Sequence, residues 1–185
     1  LPLTEQSITA RNGGTSTNRT VMTYNTQYFP ISKTYYVANT NKIKEEKFEY
    51  NSINQLIRTR TKYYSSPNEQ IVGYEYNSNG QLSSQTDPLG LKETYTYNGK
   101  GLLSAVQNHK NKKTSFDYDP WGRKIKSTYA DGSISTSTAS WASSPTNALI
   151  VINESSTGQP DTQTYLDALN REVRTGEKCF DGQYL

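Results

Sequence analysis

Tyr74-Glu75-Tyr76-Asn77-Ser78-Asn79-Gly80-Gln81-Leu82 returns as Tyr95-Thr96-Tyr97-Asn98-Gly99-Lys100-Gly101-Leu102-Leu103, and again as Phe116-Asp117-Tyr118-Asp119-Pro120-Trp121-Gly122-Arg123-Lys124-Ile125. The copies start 21 residues apart, a period that marks an array of like units. In each, two aromatics flank one polar residue. Side chains alternate faces along an extended chain, so the aromatics share one face, as in a half-buried strand. Asn or Asp then opens a polar stretch that ends in Gly. Asx side chains bond their own turn backbone, and Gly accepts positive φ, so the chain is built to reverse there. A second turn signal follows each copy: Asp87-Pro88-Leu89-Gly90, Asn108-His109-Lys110-Asn111 and Ala130-Asp131-Gly132. Each repeat therefore reads as a β-hairpin feeding the next, and a lone hairpin is too weak to stand in water. The expected fold is all-β, an antiparallel sheet of consecutive hairpins.

Upstream, Phe48-Glu49-Tyr50-Asn51 with Asn54 in the glycine place is a fourth copy, because Asn is the usual stand-in for Gly in left-handed backbone. It runs through Arg58 and Arg60 into a turn at Ser65-Ser66-Pro67-Asn68. Before it, a Gly/Thr/Asn-rich stretch, Arg11 to Thr15, precedes strand-like segments Val21 to Tyr24, Tyr28 to Ile31 and Lys33 to Val37. Tyr24-Asn25 reads as a degenerate copy and Ile43 to Lys47 as a brief helical turn. Downstream, Ile134 to Trp141 and Ala148 to Asn153 read as longer strands joined through Ser143 to Thr146. Tyr165-Leu166-Asp167-Ala168-Leu169-Asn170-Arg171 is a further copy, one residue out of register. Ile125 shows the same slip, and a one-residue shift moves a side chain to the other face, so a bulge or a reassigned face is expected at those two copies. Phe180-Asp181-Gly182-Gln183 reads as the entry to another strand, and the array as cut short there. This organisation gives residues 1–47 as an N-terminal β segment, 48–133 as the regular array and 134–185 as looser repeats.

Composition agrees. The 185 residues include 15 Tyr and carry a net charge of +3, too small to point to nucleic acid or anionic lipid. Low aliphatic and high Tyr, Ser, Thr and Asn content suits a secreted β-rich protein with a thin core. No run approaches membrane-spanning length; the longest apolar stretch, Ala148 to Ile152, reads as a buried strand. The single Cys179 has no internal partner, and no Cys/His group has metal-ligand spacing.

Tyr118-Asp119-Pro120-Trp121-Gly122-Arg123-Lys124-Ile125 and Tyr165-Leu166-Asp167-Ala168-Leu169-Asn170-Arg171-Glu172-Val173 resemble the YD repeats of the Rhs family. The pattern covers roughly residues 48–185. The family includes bacterial Rhs and wall-associated proteins, shell subunits of insecticidal toxin complexes and teneurins. The resemblance implies a β-sheet that spirals into a hollow shell, in bacterial members often around a C-terminal toxin. The chain has no variable toxin domain and too few repeats to close a shell. Asp87 to Leu91 resembles the end of the family's self-cleavage motif, but Leu82 stands where the motif needs proline, so it reads as a turn.

The motif residues carry structural roles: Tyr50 and Asn51; Tyr76, Asn77 and Gly80; Tyr97, Asn98 and Gly101; Tyr118, Asp119, Gly122 and Arg123; Asp167 and Arg171. Catalysis needs convergent groups with tuned pKa values. The lone His109 lies in a polar turn without an evident partner, Lys110, Lys112 and Lys113 read as a charged hairpin tip, and Cys179 reads as inert. The expectation is a non-enzymatic scaffold without cofactor or metal, secreted or at a cell surface of bacterial origin, partnered by neighbouring repeats or an enclosed toxin domain. Free sheet edges favour self-association of the isolated piece. The alternative is an extracellular carbohydrate- or protein-binding module using exposed Tyr and Trp, with Trp121 as the ligand contact. The acceptor patterns Asn18-Arg19-Thr20 and Asn153-Glu154-Ser155 fit chance in so polar a chain.

Overall fold

The computed structural model describes residues 4–10, 17–38, 40–143, 147–179 and 182–184. Its elements are strands: β1 (Thr4–Ala10), β2 (Thr17–Tyr24), β3 (Pro30–Val37), β4 (Asn41–Tyr50), β5 (Leu56–Tyr63), β6 (Glu69–Tyr76), β7 (Leu82–Thr86), β8 (Lys92–Tyr97), β9 (Leu103–Gln107), β10 (Lys113–Tyr118), β11 (Lys124–Thr128), β12 (Ile134–Trp141), β13 (Ile150–Ser156), β14 (Thr162–Leu166) and β15 (Glu172–Glu177). The architecture is an antiparallel meander in which spatial order follows chain order. By their contacts the residues fall into two compact units, Leu1–Thr94 and Tyr95–Leu185, divided within β8.

In the first unit β1 to β7 pair in succession, and Ile43 to Lys47 lies in the middle of β4. The helical turn expected there is wrong. β4 has strand partners on both sides, Tyr35 opposite Lys44 and Lys44 opposite Tyr63, and two ladders outweigh a weak local helical preference. Tyr28 to Ile31 is likewise not one strand: Tyr28 has a φ of 65° inside a turn, and β3 starts at Pro30. The Gly/Thr/Asn-rich stretch Arg11 to Thr15 lies outside the described residues. In the second unit β9 to β15 pair in order. Gly182 belongs to a turn closed by Cys179, with Lys178 bridging Tyr184, so the chain reverses there instead of entering a strand; Phe180 and Asp181 lie outside the described residues.

Bulges are more general than the two slipped copies. Register shifts follow the turns after Tyr24, Tyr50, Tyr76, Tyr118 and Leu166, with Ile31, Ile57, Ser83, Ile125 and Val173 as the extra residues. The cause is parity. From Tyr50 to Tyr76 the chain takes six steps along β5, Leu56 to Lys62, and seven along β6, Glu69 to Tyr76. An odd total would turn the second tyrosine to the opposite face, and the bulge at Ile57 turns it back. Between Tyr24 and Tyr50 the steps total an even number, and there two bulges, at Ile31 and Ile43, cancel.

Burial is thin in both units. Among the described residues, the buried apolar side chains are Ala105 at 4% exposure and Val151 at 9%. Val151 alone is buried in the Ala148 to Ile152 run, whose Leu149 is exposed, so the fully buried strand expected there is half-buried. Buried polar groups, Thr34, Ser84, Asp119 and Ser127, match the apolar ones in importance. Stability must come from the backbone ladder, its turns and cross-strand pairs.

Candidate functional site

Two constructions stand out, a ladder of like turns and a pair of exposed indoles. The turn begins with Asx at its first position, whose side-chain oxygen accepts the backbone N–H groups two and four residues on. Asn77 Oδ1 accepts from Asn79 and Gln81 at 3.0 Å each. Asn98 Oδ1 accepts from Lys100 and Leu102 at 2.9 and 3.0 Å, and Asp119 Oδ1 from Trp121 and Arg123 at 3.0 and 2.9 Å. Asn25, Asn51, Asp87, Asn108 and Asp167 do the same. The fourth residue has positive φ: 79° at Gly80 and Gly101, 87° at Gly122, 63° at Asn54, 59° at Asn170 and 65° at Tyr28. Asn25 to Phe29 is thus a full copy of the turn where the sequence reads as a degenerate one, with Tyr28 in the glycine place. The Asp87 and Asn108 turns, on the opposite edge from the others, follow the same plan.

The first and fifth residues also pair through their side chains. Asn51 Nδ2 donates to Gln55 Oε1 at 2.8 Å and Asn77 Nδ2 to Gln81 Oε1 at 3.2 Å. In the Asp119 and Asp167 turns the partner is arginine: Arg123 Nε donates to Asp119 at 2.6 Å and Arg171 Nε to Asp167 at 2.8 Å. Burial acting alone would raise the Asp119 carboxyl, but hydrogen bonds from Arg123 and Trp121 outweigh it and hold the pKa below 3.8. The backbone N–H of Arg171, then its guanidinium, lower Asp167.

Tyrosine hydroxyls join successive turns. Tyr50 donates to the Pro30 carbonyl at 2.9 Å, Tyr76 to Leu56 at 2.8 Å and Tyr118 to Leu103 at 2.8 Å. Each reaches the first residue of the preceding strand, just beyond the previous turn of the same edge. Gln55 Nε2 also donates to Gly80 O at 3.1 Å, and Lys100 Nζ to Pro120 O at 2.9 Å. Tyr97 ends β8 before the Asn98 turn, in a half-buried place equivalent to the others.

Trp121, third in its turn, is 79% exposed, and Trp141, the last residue of β12, is 77% exposed. These are the chain's two tryptophans. β11 pairs β12 with Lys126 opposite Thr136; that register carried toward the Asp119 turn sets Trp141 level with Trp121. Four steps along β11, seven along β12 and the bulge at Ile125 also put Trp141 on the face of Tyr118. It occupies the repeat aromatic's place at the end of a strand. The two indoles, with Arg123, Ala139, Ser140 and Ile150, line a depression of about 470 Å³. The Arg123 guanidinium lies 5.3 Å from the Trp121 ring centroid. Trp141 was missed as a site residue from the sequence; its spacing of 23 residues from Tyr118 was the available signal.

His109 and Lys110, Lys112 and Lys113 are exposed around the Asn108 turn, and Cys179 is half-buried at the head of its own turn. Among the described residues, no group of three His, Cys, Asp or Glu side chains is placed to hold a metal ion, and no helix is long and apolar enough to cross a membrane.

Residues 76–109 and 97–134 match the family model of the RHS repeat. A search of curated proteins found no match. Among solved structures, the chain is similar to part of the crystal structure of TcdB2-TccC3-Cdc42, with a TM-score of 0.59 and 11% identity over 89% of this chain and 10% of that one. The crystal structure of TcdB2-TccC3 matches with a TM-score of 0.59 and 11% identity, over 89% and 11% of the respective chains. The Photorhabdus luminescens Tc holotoxin pore with the TccC3 mutation D651A matches with a TM-score of 0.56 and 12% identity, over 92% of this chain and 11% of that one. The chain spans about a tenth of the length of these relatives.

Proposed function

Because this chain is an RHS-repeat protein, its residues 76–134 built of those repeats, we propose that it serves as a structural module in the wall of a large secreted Rhs-type protein, part of a β-sheet scaffold that encloses or displays a cargo such as a toxin domain. The observation that carries this reading is the recurrent turn. One five-residue plan is used at Asn25, Asn51, Asn77, Asp87, Asn98, Asn108, Asp119 and Asp167, and tyrosine hydroxyls tie neighbouring turns together. Such a plan extends without limit by adding repeats, each leaning on its neighbour. Its role is mechanical and steric, not catalytic. Residues 1–47 lead into the regular array of 48–133, and 134–185 continue it with longer strands.

Electron microscopy of the full gene product, carrying a peptide tag inserted in the exposed Asn108–Asn111 turn, tests the proposal. The expected image is a hollow particle with the tag on its wall. A gene product without further repeats, or a particle without a lumen, would overturn it.

A second reading, an extracellular carbohydrate- or protein-binding module, is favoured by the adjacent exposed indoles of Trp121 and Trp141.

A further inference from the structure

We propose that Asn98–Gly99 is a self-modification site, where the Asn98 side chain deamidates through a succinimide and the turn acquires an aspartate head. This chemistry goes beyond the scaffold role and is independent of it.

Asparagine loses its amide when the backbone nitrogen of the next residue attacks Cγ, and a glycine at that place hinders the attack least. Asn98 heads its turn with Oδ1 accepting the N–H groups of Lys100 and Leu102 at 2.9 and 3.0 Å. The other asparagine heads are followed by Thr26, Ser52, Ser78 and His109. Gly99 answers no need of the fold: its φ is not positive, and a Cβ built on it would meet nothing within 4 Å. It is exposed, and its N–H has no acceptor among the described residues. The leaving amide is equally loose. Asn51 Nδ2 and Asn77 Nδ2 are tied to the glutamine at the fifth position, whereas Leu102 fills that position in the Asn98 turn and leaves Nδ2 without a partner among the described residues. A second Asn–Gly pair, Asn79–Gly80, is built the other way. The Gly80 N–H donates to Asn77 O at 3.0 Å, its carbonyl accepts from Gln55 Nε2 at 3.1 Å, and its φ is 79°.

For the reaction Asn98 must rotate out of its two backbone bonds, so local opening of the turn gates it. The Gly99 nitrogen gives its proton to solvent base and bonds to Cγ. The Cγ–Nδ2 bond breaks, and Nδ2 takes a proton from solvent and leaves as ammonia. Water then opens the ring. Addition at Cγ breaks its bond to the Gly99 nitrogen and restores the chain with aspartate; addition at the Asn98 backbone carbonyl leaves isoaspartate, with an extra methylene in the main chain. The aspartate fits the fold, because Asp87 accepts the N–H groups of Leu89 and Leu91 at 2.9 Å each with leucine likewise in fifth place. Isoaspartate does not, since the added main-chain atom carries both donors away from Oδ1.

The experiment ages the whole chain in buffers of rising pH and follows its asparagine peptides by mass spectrometry after proteolysis. The expected result is conversion at Asn98 about tenfold faster than at Asn79 or at any other asparagine head, and faster as pH rises, because the attacking nitrogen must lose its proton. Gly99→Ser installs the residue type that follows Asn51 and Asn77, and should slow conversion by about tenfold with the circular dichroism unchanged. Leu102→Gln gives Asn98 the tether of those two turns and should slow it by about fivefold, the worth of one hydrogen bond. Asn98→Asp should fold as the parent does, with the amides of Lys100 and Leu102 still protected from hydrogen exchange. Absence of conversion at Asn98, or conversion at Asn79 that matches or outpaces it, overturns the site. An unchanged rate in Gly99→Ser overturns attack by the Gly99 nitrogen, and lost protection in Asn98→Asp overturns the aspartate-headed turn.

Discussion

Replacing Asn77 by Ala removes the acceptor for two backbone N–H groups, those of Asn79 and Gln81, each 3.0 Å away, together with the 3.2 Å bond to Gln81 Oε1. A net hydrogen bond is worth about 1 kcal/mol, so the two backbone contacts give a loss of about 2 kcal/mol. The third bond, at the edge of the turn, adds little. With an m-value of about 2 kcal/mol/M, that loss moves the urea midpoint down by about 1 M. Two comparisons isolate the cause. Asn77→Asp keeps the acceptor and should lie within about 0.5 kcal/mol of the parent, as other copies with Asp do, whereas Asn79→Ala removes an exposed side chain from the same turn and should cost less than about 0.5 kcal/mol. Hydrogen exchange supplies a local readout, with the amides of Asn79 and Gln81 losing at least tenfold in protection in Asn77→Ala. If Asn77→Ala falls within about 0.5 kcal/mol of Asn79→Ala, the turn is held by its backbone alone, and the ladder is not what stabilises the array.

Tyr76→Phe and Tyr118→Phe should each cost about 1 kcal/mol by denaturant midpoint, because each hydroxyl donates at 2.8 Å to a strand-end carbonyl. Tyr28, with a φ of 65° and 72% exposed, pays for a bulky side chain in left-handed backbone; Tyr28→Gly should raise stability by about 1 kcal/mol, measured the same way. Carboxyl titration by NMR should place the Asp119 and Asp167 midpoints below 3.8. Since the folded state lowers these pKa values, their contribution is complete above the unfolded value and is lost as pH falls through the folded one, so denaturation below about pH 4 should be less steep in D167N/R171Q than in the parent.

The repeat, the all-β class and the turn chemistry were legible because they rest on local rules: aromatics two apart, Asx at the turn head, Gly or Asn at positive φ. What failed were readings in which a neighbour outvotes the local signal. Ile43 to Lys47 has charged residues that suit a helix, but its partners on β3 and β5 hold it extended. The Asn25 turn, read as a degenerate copy, is a complete one; what the sequence obscured is that Tyr28 fills the glycine place in a conformation that its type disfavours. Trp141 was read only as a strand end, since its importance depends on which turn lies beside it across β11. The bulges were legible in principle: where the strand steps between successive tyrosines sum to an odd number, as from Tyr50 to Tyr76, a shared face demands an extra residue.

This parity bears on how so lean a sheet stays in one register. A half-buried strand in an ordinary domain is held by the core it faces, and a slip exposes that core. Here Ala105 and Val151 are the buried apolar groups among the described residues, so a slip would cost little apolar burial. Register must be fixed from the edges. The bulge pins the strand to its turn, the Asx head closes the turn, and the tyrosine hydroxyl reports its position to the turn before. Ion pairs such as Glu49 with Arg58 and Arg60, and Glu75 with Lys92, add cross-strand preference on exposed surface where each is weak. A sheet held this way takes its register from its strand ends and turns, so it needs no thick apolar core beneath it to stay in place.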